Sequence, residues 1–136
     1  MYMSYLTFLG QIILAAALGA GVGWQREHIG KAAGSRTFAM VAMGSAIFTL
    51  LSLRAFGAAD TSRVAAQVLT GIGFIGAGTI IHKAGGIEGL TTAACLWAMA
   101  AIGMAVGAGW YGEAIIAAVM MFLILVIRHH DKKWKK

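Results

Sequence analysis

The sequence predicts an all-α, polytopic membrane protein with five transmembrane helices, its N-terminus outside and its C-terminus in the cytoplasm. Three observations predict it. The chain is 60% hydrophobic and only 12% charged over 136 residues, against about 25% charged in an average soluble domain. The charges are also clustered: residues 1–25, 37–53, 64–81, 89–112 and 114–127 contain none. Finally, nineteen glycines and no proline suit helices that pack closely in lipid, where small residues let backbones approach. A bilayer core of about 30 Å needs about 20 apolar residues per helix. Four of the uncharged runs meet that length, and the fifth does so by starting near Trp110 and taking Glu113 into the interface.

The expected helices cover residues 4–24, 37–55, 63–81, 89–108 and 110–128. They form one transmembrane domain, residues 1–128, followed by a basic cytoplasmic tail, residues 129–136. The first helix lacks the positive leading segment of a signal peptide, since its first Lys or Arg is Arg26, so it is expected to stay in place. Arg26, Lys31, Arg36, Lys83, Arg128, Lys132, Lys133, Lys135 and Lys136 fall on one side of this arrangement, and only Arg54 and Arg63 on the other. The positive-inside rule puts the larger group in the cytoplasm. This placement explains the net charge of +6 without nucleic acid, and the tail "RHHDKKWKK" reads as a topology anchor against the lipid bilayer. Cys95 lies inside the fourth run, which excludes a disulfide framework and leaves a small packing residue.

Glycine raises a separate question in "TGIGFIGAGTII", residues 70–81. Gly71-x-Gly73-x-x-Gly76 matches the dinucleotide-binding pattern, which requires a strand before it and a helix after it. An uncharged run surrounds it and a polar loop follows, so no nucleotide cofactor is expected. In a membrane helix, Gly71 and Gly78 share one face and Gly73 and Ala77 another, so close packing on two faces is expected. The alternative is a broken helix whose backbone lines a cavity. In helix four, Gly103-x-x-x-Gly107 has the small-xxx-small form of a helix–helix seam, as has Gly19-x-x-x-Gly23 in helix one.

No ionisable side chain falls at the centre of a predicted helix. This weakens a proton-coupled carrier and a direct path for Mg²⁺, which is usually held by carboxylates and water. Three polar groupings remain. In "WQREHIGKAAGSRT", Arg26, Glu27, Lys31, Arg36 and Thr37 form a cytoplasmic loop: either a topology signal with a local Arg–Glu pair, or a docking surface or anion-attracting cap. In "DTSRVAAQ", Asp60 can cap helix three, while Asp60, Arg63 and Gln67 share a face. Gln67 and Thr70 then lie within the membrane, bonded to another helix or positioned to meet a solute. In "GGIEGLTTAACLW", Thr91 and Thr92 open helix four, where they cap the helix or face an anion. His28, His82, His129 and His130 show no metal-ligand spacing, and the metal, if any, is unknown. No catalytic constellation is visible, so an enzyme is not expected.

The three segments "GVGWQREHIGKAAGSRTFAMVAMGSAIF", "DTSRVAAQVLTGIGFIGAGTII" and "GLTTAACLWAMAAIGMAVGAGWYGEA" together resemble the MgtC/SapB family of bacterial inner-membrane proteins. The resemblance covers most of the chain. It implies characteristic positions at Arg26, Glu27, Lys31, Gly34, Arg36, Thr37, Asp60, Arg63, Gln67, the helix-three glycines, Thr91 and Thr92. Gln25, Phe38 and Thr61 depart from the expected Glu, His and Pro. Many members carry a soluble cytoplasmic domain after the last helix, and this chain is expected to lack one. The family is linked to adaptation to low magnesium, to virulence and, in one branch, to restraint of the ATP synthase. Two functions therefore stand: a regulatory or interaction protein with a membrane partner such as the ATP synthase, or a small ion channel or transporter near helix three. A homodimer is expected in either case.

Overall fold

The computed structural model describes residues 4–55 and 60–127. The basic tail expected at 129–136 lies outside them. Five helices carry the fold: α1 (Tyr5–His28), α2 (Ser35–Arg54), α3 (Arg63–Ala77), α4 (Leu90–Gly107) and α5 (Tyr111–Val126). Between α3 and α4 sits a short antiparallel hairpin, β1 (Ile81–Lys83) and β2 (Gly86–Glu88), with Ile81 opposite Glu88 and His82 opposite Ile87. The polar segment expected as a loop is therefore an ordered ribbon, tied across its strands by Lys83 Nζ to Glu88 Oε2 at 2.7 Å.

α1, α2 and α4 are long and apolar enough to cross a membrane. α3 and α5 are shorter, at 15 and 16 residues. At a rise of 1.5 Å per residue, α3 is only about 22 Å long.

Two helix boundaries differ from expectation for identifiable reasons. α1 continues through Gln25, Arg26, Glu27 and His28, four residues beyond the last apolar position. The charge marks where the chain leaves the hydrocarbon, but these side chains remain helix-compatible. The stop comes at Gly30, which adopts φ +70. Its amide bonds Glu27 O at 3.0 Å and that of Lys31 bonds Arg26 O at 3.0 Å, the Schellman arrangement that a left-handed glycine permits. α3 ends four residues early, at Ala77, because Gly78 and Thr79 turn the chain toward the hairpin.

α2 is the axis of the bundle. α1 packs on one side of it, where a Cβ at Gly23 would lie 2.7 Å from Gly34 O and one at Gly19 would meet Phe38 O. α4 packs on another, with Gly103 against the Ala42 carbonyl and Gly107 against Ala46 and Thr49. The buried residues of α1 form one stripe, Gln11, Ala15, Gly19, Val22, Gly23 and Arg26. That spacing is the 3.6-residue period of a single helix face. The core joins it through Phe38, Leu96, Met99 and Val106, all fully buried.

The helix-three glycines behave differently. α3 is a continuous helix through Gly71, Gly73 and Gly76, so its backbone is not broken. Nor does it pack closely on two faces within the chain. A Cβ at Gly71 or Gly73 would meet nothing within 4 Å. Only at Gly76 would a Cβ meet another helix, 3.6 Å from Ala93 Cβ, and Gly78 is the C-cap, near its own helix's carbonyls. α3 rests on α4 along one edge, leaving its other glycines open.

Candidate functional site

The polar side chains collect in two places: the end of the bundle where α1 stops and α4 begins, and a cleft between α2 and α3.

At the first place, the end of one buried stripe meets the start of another. Arg26 is the last buried residue of α1 and Thr92 the first of α4. Arg26 Nη2 donates to Thr92 Oγ1 at 2.8 Å. Arg26 is 4% exposed, and its Nε–H has no acceptor. The neighbouring Glu27 does not pair with it. Its Oε2 instead accepts from the Ser35 amide at 3.1 Å and the Ser35 hydroxyl at 2.7 Å. It thereby places an anion at the N-terminus of α2, where Gly34 supplies no side-chain cap. The local Arg–Glu pair weighed from the sequence is thus replaced by two contacts to two different helices. Lys31 and Arg36 are exposed nearby in the chain, and Thr37 lines the cleft described below.

The hairpin fixes the start of α4. Gly89, its N-cap, has φ +91, and a Cβ there would collide with the Thr79 carbonyl. Thr91 is exposed and Thr92 buried, and neither hydroxyl caps the helix through the N-cap position. On the hairpin, the Lys83 hydrogen bond holds the Glu88 carboxyl below its ordinary range, and the charges of Lys83 and Lys31 act in the same direction.

The second place is a cavity of about 550 Å³ running along the α2–α3 boundary. Its walls include Thr37, Gly44, Ser45 and Phe48 from α2, with Gln67 and Gly71 from α3. It is mostly apolar. Gln67 is exposed into it, and among the described residues its amide has no hydrogen-bond partner. Thr70, grouped with Gln67 from the sequence, is exposed but does not line the cavity.

Asp60 and Arg63 belong to the far end of α3. Asp60 Oδ1 accepts from the Ser62 amide at 3.1 Å and hydroxyl at 2.7 Å. These bonds hold its carboxyl below the usual aspartate value, with a smaller contribution from the Arg63 charge. Asp60 thus forms a turn that leads into α3, while the N-cap itself is Ser62. Asp60 and Gln67 do not share a site: one lies before the helix and the other faces the cleft.

Two amides that tie helices together, Gln11 buried and Gln25 half-buried, are not among the sequence's site candidates. Gln11 Nε2 donates to Val106 O at 3.1 Å, locking α1 to α4, and Gln25 Nε2 donates to Leu125 O at 3.1 Å, locking α1 to α5. Gln11 was legible as the lone amide in an apolar run, four residues from Ala15 on the same helical face. Among the described residues no group of three or more His, Cys, Asp or Glu side chains could hold a metal ion.

The bundle, with three helices long and apolar enough to cross a membrane, is that of a membrane-embedded helical protein. Residues 12–134 match the model of the MgtC family, and the chain belongs to that family. It is 45% identical over 130 residues to the Escherichia coli K12 protein named "Putative magnesium transporter YhiD", a match covering 90% of this chain and 60% of that one. It is 41% identical over 110 residues to Protein MgtC of Brucella abortus, covering 81% and 46%. Protein MgtC of Salmonella typhimurium is 38% identical over 119 residues, covering 88% and 51%. The chain thus spans 46–60% of the length of these relatives. No solved structure matches it.

Proposed function

We propose that this chain is a bacterial inner-membrane protein of magnesium homeostasis that acts by contacting other membrane helices, itself included, rather than by passing the ion. All five helices cross the membrane in this reading, with the N-terminus outside and the ends that carry Arg26, Lys31 and Lys83 in the cytoplasm. The link to magnesium rests on the family and on the name of the Escherichia coli relative.

One observation carries the interaction reading: the α2–α3 cleft is an apolar lateral groove whose polar wall groups include Thr37, Ser45 and Gln67. Mg²⁺ sheds its water reluctantly and is held through carboxylates and retained waters. A groove of this composition suits a helix instead. Gly44 and Gly71 offer no Cβ contact across it, so a backbone can approach closely, and Gln67 supplies an interhelical hydrogen bond. A homodimer through this face is the simplest assembly. The decisive experiment is reconstitution of the pure protein in liposomes. The expected result is no saturable Mg²⁺ flux, with retained rescue of growth in low magnesium by the same preparation's gene. Saturable flux would overturn the reading.

A second reading, a small oligomeric channel or transporter, is favoured by the unpartnered Gln67 amide beside Gly71. In that reading Gln67→Ala abolishes every cation-dependent growth phenotype while the protein still reaches the membrane.

A further inference from the structure

We propose that Arg26 and the N-terminus of α4 form a binding site for a phosphate-type oxyanion at the membrane surface.

The charge balance at this point is incomplete. Arg26 is 96% removed from solvent by its 4% exposure, yet the ion pair found among the described residues is Lys83–Glu88, not one of its own. Burying an unpaired charge is strongly unfavourable. Glu27, next in sequence to Arg26, is committed to Ser35, and Glu88, just before α4, to Lys83. Helix dipoles do not repair the deficit. Arg26 lies in the last turn of α1, which offers roughly half a negative charge, and against the first turn of α4, which offers roughly half a positive one. The two cancel, and a full positive charge remains.

The hydrogen bonding is incomplete in the same direction. Arg26 Nε–H is buried with no acceptor. Thr92 Oγ1 already accepts from Arg26 Nη2, so its own proton is free to be donated. The amides of Leu90, Thr91 and Thr92 precede the first intrahelical bond, which runs from the Ala93 amide to Gly89 O at 2.8 Å, and Gly89 has no side chain to cap them. The unsatisfied groups of Arg26, Thr92 and the α4 N-terminus are donors, and the local charge is positive; the orphaned acceptor next in sequence, Gln25 Oε1, belongs to an amide bonded to α5. A planar guanidinium with hydroxyl and amide donors suits a multi-oxygen anion.

The site lies at the right height for it. α1 has 24 residues, so it is about 36 Å long against a hydrocarbon core of about 30 Å. Its last turn therefore reaches the headgroup layer. Leu90 and Thr91 beside the site are exposed. The same donors serve a lipid headgroup phosphate and a free phosphate, and the two are separated by experiment.

The pure protein is melted in neutral detergent with increasing sodium phosphate, against sodium chloride at matched ionic strength. It is also melted in nanodiscs of phosphatidylglycerol or of a phosphate-free galactolipid. A higher Tm in phosphate supports a site open to the free ion. A higher Tm in phosphatidylglycerol alone supports a headgroup site. Arg26→Gln is expected to abolish the shift or weaken the apparent affinity about tenfold or more, with Arg26→Lys intermediate. Should Arg26→Gln fail to fold, the wild-type comparison still decides. Equal Tm in phosphate and chloride, together with equal Tm in the two lipids, overturns the proposal.

Discussion

Replacing Gly103 by alanine tests whether the α2–α4 seam holds the bundle together. The added Cβ would fall on the Ala42 carbonyl, 2.9 Å from both its carbon and Ala42 Cα. Ordinary van der Waals contact begins at 3.4 Å, so the helices must part by at least 0.5 Å at this point. The neighbours that obstruct it are backbone atoms, which cannot rotate away. A gap of 0.5–1 Å already forfeits about a quarter to a half of each contact's dispersion well. The loss extends along the seam to Gly107, packed against Ala46 and Thr49. Overpacking a well-packed core costs about 1–3 kcal/mol, and a site with immovable neighbours belongs in the upper part of that range. A loss of about 2–3 kcal/mol lowers the folded-to-unfolded ratio roughly 30- to 150-fold.

Gly73→Ala is the matched control. It adds the same methyl group to a helical glycine, in a place where nothing lies within 4 Å. Its expected effect is between zero and a stabilisation of about 1 kcal/mol from helix propensity. Both variants are unfolded by SDS titration in dilute mixed micelles and followed by tryptophan fluorescence, with Trp24, Trp97 and Trp110 as reporters. A loss in Gly73→Ala as large as that in Gly103→Ala would refute the reasoning, because the open and closed glycines would then be equivalent.

Three further outcomes follow from single residues. Asp60→Asn removes a carboxylate whose pKa is depressed by Ser62. The stability it contributes is complete above the ordinary aspartate value of 3.8 and is lost as pH falls through the lower folded value. Hydrogen exchange at the start of α3 should therefore accelerate below that pH in the wild type, and much less so in the variant. Gln11→Leu removes one bond to Val106 O but also an orphaned Oε1, so its SDS midpoint should move by no more than about 1 kcal/mol. Gly89→Ala combines φ +91 with a collision against Thr79 O. It should cost about 1–3 kcal/mol and expose the 78–89 segment to protease; unchanged digestion would count against a fixed hairpin.

Much of the fold was legible because apolar runs and glycine spacing act locally. The five helical segments follow from where charge stops, and the Gly103–Gly107 seam from its four-residue spacing. Two things were not legible, for different reasons. The ends of α1 and α3 were set by a left-handed Gly30 and by the turn at Gly78, whereas charge and hydropathy report only the border of the hydrocarbon. The charge of Arg26 places it in a loop by sequence, although it continues the stripe of Gln11, Ala15, Gly19 and Val22 at helical spacing. Extending the periodicity four residues past Val22 would have placed it against another helix. Which helix, and that Thr92 would receive it, depends on the packing of α1 on α4 and is not encoded in either segment alone.

The glycines divide the bundle into two mechanical parts. Gly19 and Gly23 of α1 and Gly103 and Gly107 of α4 are spent on contacts with α2 and its N-cap, where Gly34, Phe38, Ala42 and Ala46 leave no room for even a methyl group. α1, α2 and α4 therefore form a frame that cannot shear without losing backbone-level contact. Interiors packed this closely switch between discrete arrangements rather than deform continuously. α3 is joined to that frame at Gly76–Ala93 and around the Ser52 hydroxyl, which donates to Thr61 O at 2.5 Å and accepts from the Ala65 amide at 3.4 Å. Between these two points its remaining glycines face open space and the cleft. Displacement of α3 thus costs fewer close contacts than displacement of any helix in the frame. In the proposed reading, a partner seated beside Gln67 and Gly71 would have this one helix to move, and the hairpin joins that helix to Gly89 at the start of α4.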